Sequence, residues 1–319
     1  MNDHLVKKAA FLFPGQGVLP ADLCGYYMFL KSKNADTTEK YIKILQAGLD
    51  EINPQAKFNA KENLANEKAD AWNMTSFVQP LTYLLSVLTH ELIKGQSLSI
   101  AQSVPAFALG HSLGAFSALT ASGALDFEQG IKIVAARGKF MQEESEKTDK
   151  GMLAILGLTK DKVKEICGKT GCEIALINAP SAFVVVAPRS SFSKIEEEAV
   201  SLGSVRTIAL ATSGAFHTKY MRGTYDKFKE FVKTGFLKQP HVPVVTNIQG
   251  IASLDPRELE NDVIESIINP INWARMMQFL KNNSVGSFIE VGPGTSLSSL
   301  CRLNGVEREQ IHHAKELLG

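Results

Sequence analysis

The hydrophobic positions of this chain form short apolar runs, separated by longer segments in which apolar residues recur every three to four positions. Short runs that end at glycine or proline predict buried strands, and the longer periodic segments predict helices. The strands predicted in this way are 9–13, 104–109, 243–247 and 287–291. The helices are 77–93, 115–121, 127–144, 220–233 and a pair around 270–273. This alternation of strands and helices predicts an α/β fold.

Two segments depart from this alternation. Residues 31–72 are polar except for apolar positions at helical spacing over 41–49, and they predict surface helices and loops without chemistry. Residues 151–211 contain elements in the order βαββαβ, which is the order of a ferredoxin-like motif. The predicted elements of this second segment are strand 152–158, helix 160–168, strands 173–178 and 183–187, helix 190–202 and strand 205–211. We therefore expect an α/β body formed by 1–150 and 212–319, with an inserted α+β subdomain at 151–211.

Composition excludes several classes of protein. Hydrophobic residues make up 45% of the chain, charged residues 21%, and the net charge is +1, so we expect a globular protein that binds neither nucleic acid nor membrane. The four cysteines have no metal-ligand spacing, which predicts reduced thiols and no metal site. The apolar run 9–13 is too short for a signal peptide, and no run approaches the about 20 residues of a membrane span. We expect a cytoplasmic protein.

The strongest candidate for chemistry is Ser112, in the segment GHSLG at 110–114. The pattern G-x-S-x-G between a strand and a helix is the nucleophile elbow, in which a sharp turn lifts the serine hydroxyl clear of the backbone. By composition alone, such a pattern arises in roughly one chain of this length in ten. The preceding strand and the small-residue helix 115–121 supply the context that the elbow requires, whereas the alternative is a structural turn.

A serine nucleophile needs a base, and His217 follows a predicted strand, where its side chain can point into a cleft. His111 is the competitor, but as the immediate neighbour of Ser112 it is expected to point away and line the pocket. The acids Asp226, Asp255 and Asp262 lie in polar, surface-like stretches, so none can be chosen as the third member of a triad. Another group is expected to orient His217.

Arg137 and the segment GQG at 15–17 each allow two interpretations. Arg137 lies on an otherwise apolar helix, where it forms either a surface ion pair or a bidentate clamp for a substrate carboxylate. The GQG segment lacks both G-x-G-x-x-G and the lysine of a phosphate loop, so its backbone donors suit an oxyanion better than a nucleotide.

Taken together, five motifs resemble the malonyl-CoA:acyl carrier protein transacylases in order and spacing along nearly the whole chain. They are FPGQG at 13–17, GHSLG at 110–114, RG-x-x-MQ at 137–142, FH at 216–217 and EVGPG at 290–294. The resemblance implies a hydrolase-like α/β body with a parallel sheet and a ferredoxin-like subdomain. It also implies ping-pong transfer of malonyl from coenzyme A to the phosphopantetheine thiol of an acyl carrier protein, for fatty-acid or polyketide synthesis. We expect the protein to act as a monomer. No bound cofactor is implied, because the coenzyme A thioester is the substrate.

By this resemblance, Ser112 is acylated and His217 is general base and acid. The roles implied for the other positions are oxyanion donation by the backbone N–H groups of Gln16 and Leu113, carboxylate binding by Arg137, orientation of His217 by the backbone carbonyl of Asn272, and substrate binding by Gln79, His111 and Phe216. A ring at Phe216 is expected to exclude a branched methylmalonyl group.

The chain departs from the family pattern at Val18, Leu19 and Ala115, and in these features it looks like the free-standing acyltransferases of polyketide synthases. Two other functions are considered: a thioesterase that proofreads carrier-bound acyl groups, which has little need of Arg137, and a non-catalytic docking module, which does not need the serine and histidine. Basic residues around the cleft are suggested for docking of an acidic carrier protein, namely Lys139, Arg189, Lys194, Lys219 and Arg222.

Overall fold

The computed structural model describes residues 8–94, 105–211 and 214–319 of the 319-residue chain. Its helices are α1 (Pro20–Lys33), α2 (Ala35–Ile52), α3 (Ala60–Leu64), α4 (Thr75–Lys94), α5 (Gly114–Ala121), α6 (Phe127–Ser145), α7 (Lys160–Thr170), α8 (Phe192–Ser201), α9 (Arg222–Val232), α10 (Pro256–Glu265), α11 (Trp273–Asn282), α12 (Ser296–Leu303) and α13 (Ala314–Leu317). Its strands are β1 (Lys8–Phe13), β2 (Phe107–Gly110), β3 (Lys150–Leu156), β4 (Glu173–Ala179), β5 (Ala182–Pro188), β6 (Arg206–Ala209), β7 (Val244–Val245), β8 (Ala252–Ser253), β9 (Val285–Glu290) and β10 (Ile311–His313). The first residue of predicted strand 104–109 lies outside the described residues.

The large sheet has the strand order β10-β9-β1-β2-β7-β8, and only the β7–β8 pair is antiparallel. The parallel α/β body that the alternation of elements predicts is therefore present. Alternate residues of a strand point to opposite faces. Phe11 and Phe13 of β1 accordingly pack into one apolar core, whereas Ala10 and Leu12 pack into another beside α11 and α12. Because the central strands run parallel, the turns that follow β1, β2 and β9 meet at one edge of the sheet.

Helices cover both faces of the large sheet. Helix α4 is buried over most of its length and packs against α6. The prediction of a surface helix within 31–72 agrees with α2, which exposes its polar residues and packs Ile42, Leu45 and Leu49 against α4 and α6. A helix with one apolar stripe buries that stripe even where its other residues are polar. Among the residues described, no helix combines the length and apolar character needed to cross a membrane.

The small sheet comprises β3 to β6 in the antiparallel order β4-β5-β3-β6. Its elements follow the predicted order βαββαβ, and helices α7 and α8 cover one face through a separate apolar core. The opposite face packs against the body of the molecule, with Met152 and Val184 in the main core. At the sheet edge, Ile271 donates its N–H to the carbonyl of Ala175 and accepts the N–H of Ile177, at 3.0 and 2.9 Å. Strand β4 is thus hydrogen-bonded to the body.

Candidate active site

The turn between β2 and α5 presents Ser112 in a strained backbone conformation. Its backbone φ is +54°, in the left-handed region that residues other than glycine rarely adopt. The flanking glycines make this turn possible. A Cβ at Gly110 would overlap the backbone of Gly114, and a Cβ at Gly114 would overlap the carbonyl of Phe13 in β1. The sequence GHSLG therefore forms the sharp elbow that its pattern predicts.

Ser112 and His217 form a hydrogen-bonded pair. The distance from Ser112 Oγ to His217 Nε2 is 2.8 Å, and the distance from His217 Nδ1 to the carbonyl oxygen of Ser266 is 2.6 Å. A carbonyl can only accept, so Nδ1 carries the proton and Nε2 is free to accept the proton of Ser112. His217 also has a positive φ, of +60°. The arrangement is that of a nucleophile with its general base.

The carbonyl that orients His217 is therefore that of Ser266, and the expectation of Asn272 in this role is wrong. The carbonyl of Asn272 accepts the N–H groups of Arg275 and Met276 and starts helix α11. Ser266 instead follows the last residue of α10, where the final carbonyls have no partner further along the helix. Every residue carries a carbonyl, so side-chain identity gives no signal for this role.

The three acids considered for a triad serve other contacts. Asp226 is exposed and pairs with Arg222, and Asp255 caps the start of α10. Asp262 is only 7% exposed, so its assignment to a surface-like stretch is wrong. Its two oxygens accept main-chain N–H groups of the turn after β7, and none of the three acids bonds to His217.

His217 is held neutral by its surroundings. Burial, followed by the positive charge of Arg137, lowers the pKa of His217 to about 3. A histidine with this pKa is unprotonated near neutral pH and ready to accept a proton.

Arg137 lies beside the nucleophile and is only 1% exposed. Its Nη2 donates to Ser112 Oγ at 3.1 Å and its Nη1 donates to Gln79 Oε1 at 2.6 Å, while its Nε has no partner among the residues described. Burial lowers the pKa of Arg137 to about 10, so the group remains cationic at neutral pH. No carboxylate in the described part of the chain pairs with it, which rules out the surface ion pair. A buried cation without a counter-ion is costly, and the site therefore suits an anionic ligand.

The two backbone N–H groups expected to bind an oxyanion belong to Gln16 and Leu113. The loop that contains Gln16 lies against the elbow, because a Cβ at Gly15 would overlap the carbonyl of His111. Gln16 lies in the turn after β1, where its side chain donates to Thr75 Oγ1 at 2.9 Å, and Leu113 precedes the first residue of α5. Within the described residues, neither N–H group donates to a protein acceptor. The N–H of Ser112 itself is occupied, because it donates to Asn247 Oδ1 at 2.9 Å. The positive end of the α5 dipole adds to the attraction for negative charge.

Three further residues were predicted to line the pocket around Ser112 and His217, namely His111, Phe216 and Gln79. His111 points away from Ser112, with Nε2 2.9 Å from Asn178 Oδ1 and its ring against Trp273. Phe216 is buried beside His217, and its ring leaves no room for a Cβ at Gly214. Gln79 is buried and contacts Arg137 as described above. Among the described residues, no cluster of three or more His, Cys, Asp or Glu side chains is suited to hold a metal ion.

Three of the five basic residues suggested for docking contact other groups of the chain. Lys219 pairs with Glu173, and Arg222 pairs with Asp226. Lys139 donates to the carbonyl of Ile52. These contacts place three of the five in local interactions with their own chain.

Comparison with known proteins gives consistent matches over nearly the whole chain. Residues 11–315 match the acyl transferase domain family. The polyketide biosynthesis protein ThaF of Burkholderia thailandensis is 32% identical over 300 residues, which are 93% of this chain but only 24% of ThaF. A malonyl CoA-acyl carrier protein transacylase of Staphylococcus aureus MRSA252 is 30% identical over 302 residues, or 93% of this chain and 92% of that protein. A crystal structure of an acyl-carrier-protein S-malonyltransferase from Burkholderia pseudomallei superposes with a TM-score of 0.81 and 25% identity, over 98% of each chain.

Proposed function

This chain belongs to the acyl transferase family, and on that premise we propose that it transfers malonyl from malonyl-CoA to the phosphopantetheine thiol of an acyl carrier protein. Ser112 is the acylated nucleophile and His217 is the general base and acid. The N–H groups of Gln16 and Leu113 bind the oxyanion, and Arg137 binds the malonyl carboxylate. No resident cofactor takes part, because coenzyme A enters and leaves as the carrier of the acyl group.

In the first half-reaction, His217 Nε2 takes the proton of Ser112 as Oγ attacks the thioester carbonyl. The two N–H groups stabilise the negative charge on the carbonyl oxygen, and their fixed position is the main source of rate enhancement. When the C–S bond breaks, His217 returns the proton to the coenzyme A sulfur and malonyl-Ser112 remains. In the second half-reaction, His217 takes the proton of the carrier thiol as its sulfur attacks the ester carbonyl. When the C–O bond to Ser112 breaks, His217 returns that proton to Oγ, which leaves the malonyl thioester on the carrier and a free Ser112.

The observation that carries this proposal is the buried Arg137, which has no counter-ion in the part of the chain that the structure describes and whose Nη2 lies 3.1 Å from Ser112 Oγ. In a malonyl group a single methylene separates the carboxylate from the reacting carbonyl, so a cation that recognises it must lie beside the nucleophile. Gln79 fixes one nitrogen of the guanidinium, and the side of Arg137 that faces Ser112 is left to the substrate. A thioesterase for uncharged acyl chains has no use for this cation, and desolvating it without a counter-ion is unfavourable.

Phe216 supports selection of malonyl over methylmalonyl, because its ring is buried directly before His217. The catalytic groups all come from one chain, which supports action as a monomer. The ping-pong order requires that both substrates reach the same serine in turn. Coenzyme A and the carrier protein both deliver their thiol on a phosphopantetheine arm, so one channel serves both.

The test is acylation of the purified protein with malonyl-CoA, followed by intact-mass measurement. We expect one malonyl group on the wild-type protein, none on Ser112→Ala, and discharge on addition of a carrier protein that bears phosphopantetheine. Malonyl labelling that persists in Ser112→Ala would refute the assignment of the nucleophile. Release of malonate to water at the same rate with and without carrier would favour the thioesterase.

A further inference from the structure

The strained backbone of Ser112 is held by Asn247, a residue that has no role in the mechanism described above. Asn247 lies in the turn between β7 and β8, and its Oδ1 accepts the N–H of Ser112 at 2.9 Å. Asn247 Nδ2 is buried and has no partner in the described part of the chain. The Asn247 side chain therefore has no other hydrogen bond that fixes its orientation, and its position depends on its own main chain.

That main chain is held by Asp262 of α10. Asp262 Oδ2 accepts the N–H of Asn247 at 2.8 Å, and Oδ1 accepts the N–H of Ile248 at 3.0 Å. The carboxylate is buried, and no basic side chain among the described residues pairs with it. Both carboxylate oxygens thus accept hydrogen bonds from the same turn. Charge-assisted hydrogen bonds of this kind are roughly twice as strong as neutral ones.

The same helix holds the base. Ser266 follows Asp262 by four residues, and the Ser266 N–H donates to the Asp262 carbonyl at 2.9 Å, so the two lie one turn apart. The Ser266 carbonyl holds His217 Nδ1 at 2.6 Å. Helix α10 therefore fixes the nucleophile through Asp262 and Asn247, and it fixes the base through Ser266.

We propose that Asp262 is a positioning residue for the acyl transfer proposed above, acting through Asn247 to hold Ser112 at hydrogen-bonding distance from His217. The inference rests on Ser112 and His217 as nucleophile and base, and it assigns to Asp262 a role in the rate of Ser112 acylation. A small displacement of a nucleophile from its base lowers the rate strongly, because alignment supplies much of the catalytic effect. Asp262→Asn keeps the shape of the side chain but leaves one acceptor for two N–H groups, with an amide donor facing the other.

The chain offers a matched control on the same helix. Glu260 is also buried, and its carboxylate accepts the N–H groups of Gly235 and Leu237, at 3.1 and 2.8 Å. Neither of these residues bonds to Ser112, His217, Asn247 or Ser266 in the described part of the chain. Glu260→Gln therefore removes an equivalent loop anchor without touching the nucleophile.

The experiment measures two rates on wild type, Asp262→Asn, Asn247→Leu, the double variant and Glu260→Gln. The first is single-turnover formation of malonyl-Ser112, and the second is labelling of Ser112 by a fluorophosphonate. In the second reaction the serine oxygen displaces fluoride from phosphorus, so it reports the activated serine without any acyl substrate. We expect both rates to fall on the order of ten-fold or more in Asp262→Asn, with little change in the half-saturating malonyl-CoA concentration.

Melting temperature separates positioning from stability alone. We expect Asp262→Asn and Glu260→Gln each to lower it, whereas Glu260→Gln keeps both wild-type rates. Because Asp262 acts through Asn247, the double variant should be no slower than Asn247→Leu. Wild-type rates in Asp262→Asn, or additive losses in the double variant, overturn the inference.

The set of variants and the two rate measurements also resolve two further outcomes. If Asp262→Asn fails to fold, Asn247→Leu tests the same link, and wild-type rates there overturn the inference. If wild type reacts with the fluorophosphonate but not with malonyl-CoA, the proposed function fails, and the fluorophosphonate rates of the variants still decide the role of Asp262.

Discussion

Arg137 is the residue whose surroundings differ most from those expected of its type. Arginine is rarely buried without a partner, yet here it lies under the protein surface beside a serine hydroxyl, over the ring of Phe116. The sequence indicated that this helix position was unusual but left two interpretations. The burial of Arg137, together with the absence of a carboxylate partner in the described ranges of the chain, favours our proposal that the substrate brings the counter-ion.

Replacing Arg137 by alanine is expected to lower kcat/KM for malonyl-CoA on the order of a hundred-fold or more, because the malonyl carboxylate would then be buried without a partner. Acceptance of acetyl-CoA should rise, since the cavity no longer contains a charge that must be neutralised. Steady-state transfer to a carrier protein with each acyl-CoA measures both effects. Lys132→Ala is the control, because Lys132 lies on the same helix but is exposed and pairs with Glu51. Unchanged malonyl kinetics in Arg137→Ala would contradict the carboxylate-binding role.

The low pKa of His217 predicts the pH dependence of acylation. A base with a pKa of about 3 is already deprotonated through the neutral range. His217 itself therefore adds no acid limb to kcat/KM for malonyl-CoA, which reports the free enzyme, between about pH 5 and 8. Burial raises the pKa of Asp262 to about 6, so a fall in rate below that pH is expected from protonation of the Asp262 carboxylate and should be absent in Asp262→Asn. Removing the positive charge at Arg137 stabilises the imidazolium, so the acid limb should move to higher pH in Arg137→Gln, measured with acetyl-CoA. An acid limb near the ordinary histidine pKa of about 6.5 that persists in Asp262→Asn would contradict the neutral, buried base.

Side-chain type could predict Ser112, His217 and Arg137, because each role requires that chemistry. It could not predict Ser266, whose contribution is a backbone carbonyl, nor Asp262, whose polar sequence neighbourhood gave no indication of burial. Both contacts depend on how the end of α10 packs on the rest of the molecule. Pattern along the chain contains no information about that contact.

At the scale of elements, the elbow depends on close approach of three backbone segments. Gly114, the first residue of α5, lies against the carbonyl of Phe13 in β1, and Gly110 ends β2 against Gly114. The sequence predicts this unit because strand, tight turn and small-residue helix each leave a local signature. The pairing of β2 with β1 is what makes the glycines obligatory.

Gly114→Ala is expected to lower the free energy of unfolding by about 3 kcal/mol or more, since the added methyl group meets backbone that cannot move aside. Gly25→Ala is the matched control: Gly25 also lies in a helix, is exposed, and has open space around its Cβ position. There the same change should stabilise by about 0.5–1 kcal/mol through lower entropy of the unfolded chain. Urea denaturation of the two variants measures both values. A neutral Gly114→Ala would show that the elbow tolerates a side chain.

Element prediction succeeded where periodicity is local and failed where an element is too short to show a pattern. The order of strands and helices over 151–211 and the strands of the parallel sheet followed from apolar runs and glycine-rich turns. Helix α2 was predicted at the surface, and it lies there with its narrow apolar stripe packed against α4 and α6. Short strands such as β10, of three residues, carry too little pattern to be identified.

At the scale of the whole molecule, the predicted fold class and family are confirmed, since an α/β body with a second sheet and a family match over 11–315 are both present. The way the two sheets join was not predictable. It depends on apolar packing against the main core, on the two hydrogen bonds between β4 and Ile271, and on the hydrogen bond between His111 and Asn178. These residues are far apart in sequence, and the type of each residue gives no indication of its partner.

The two hydrogen bonds between β4 and Ile271 affect the design of chimaeras between related proteins. We propose 151–211 as an inserted subdomain, but an exchange made at those boundaries would transplant one side of the Ile271 contact and leave the other behind. The loop that carries Ile271 continues into Asn272, whose N–H donates to the carbonyl of Asn247, the residue that holds Ser112. A mismatched graft would therefore disturb the nucleophile without altering any catalytic residue. A chimaera that preserves the hydrogen bonds of Ile271 must exchange residues 270–273 together with the small sheet.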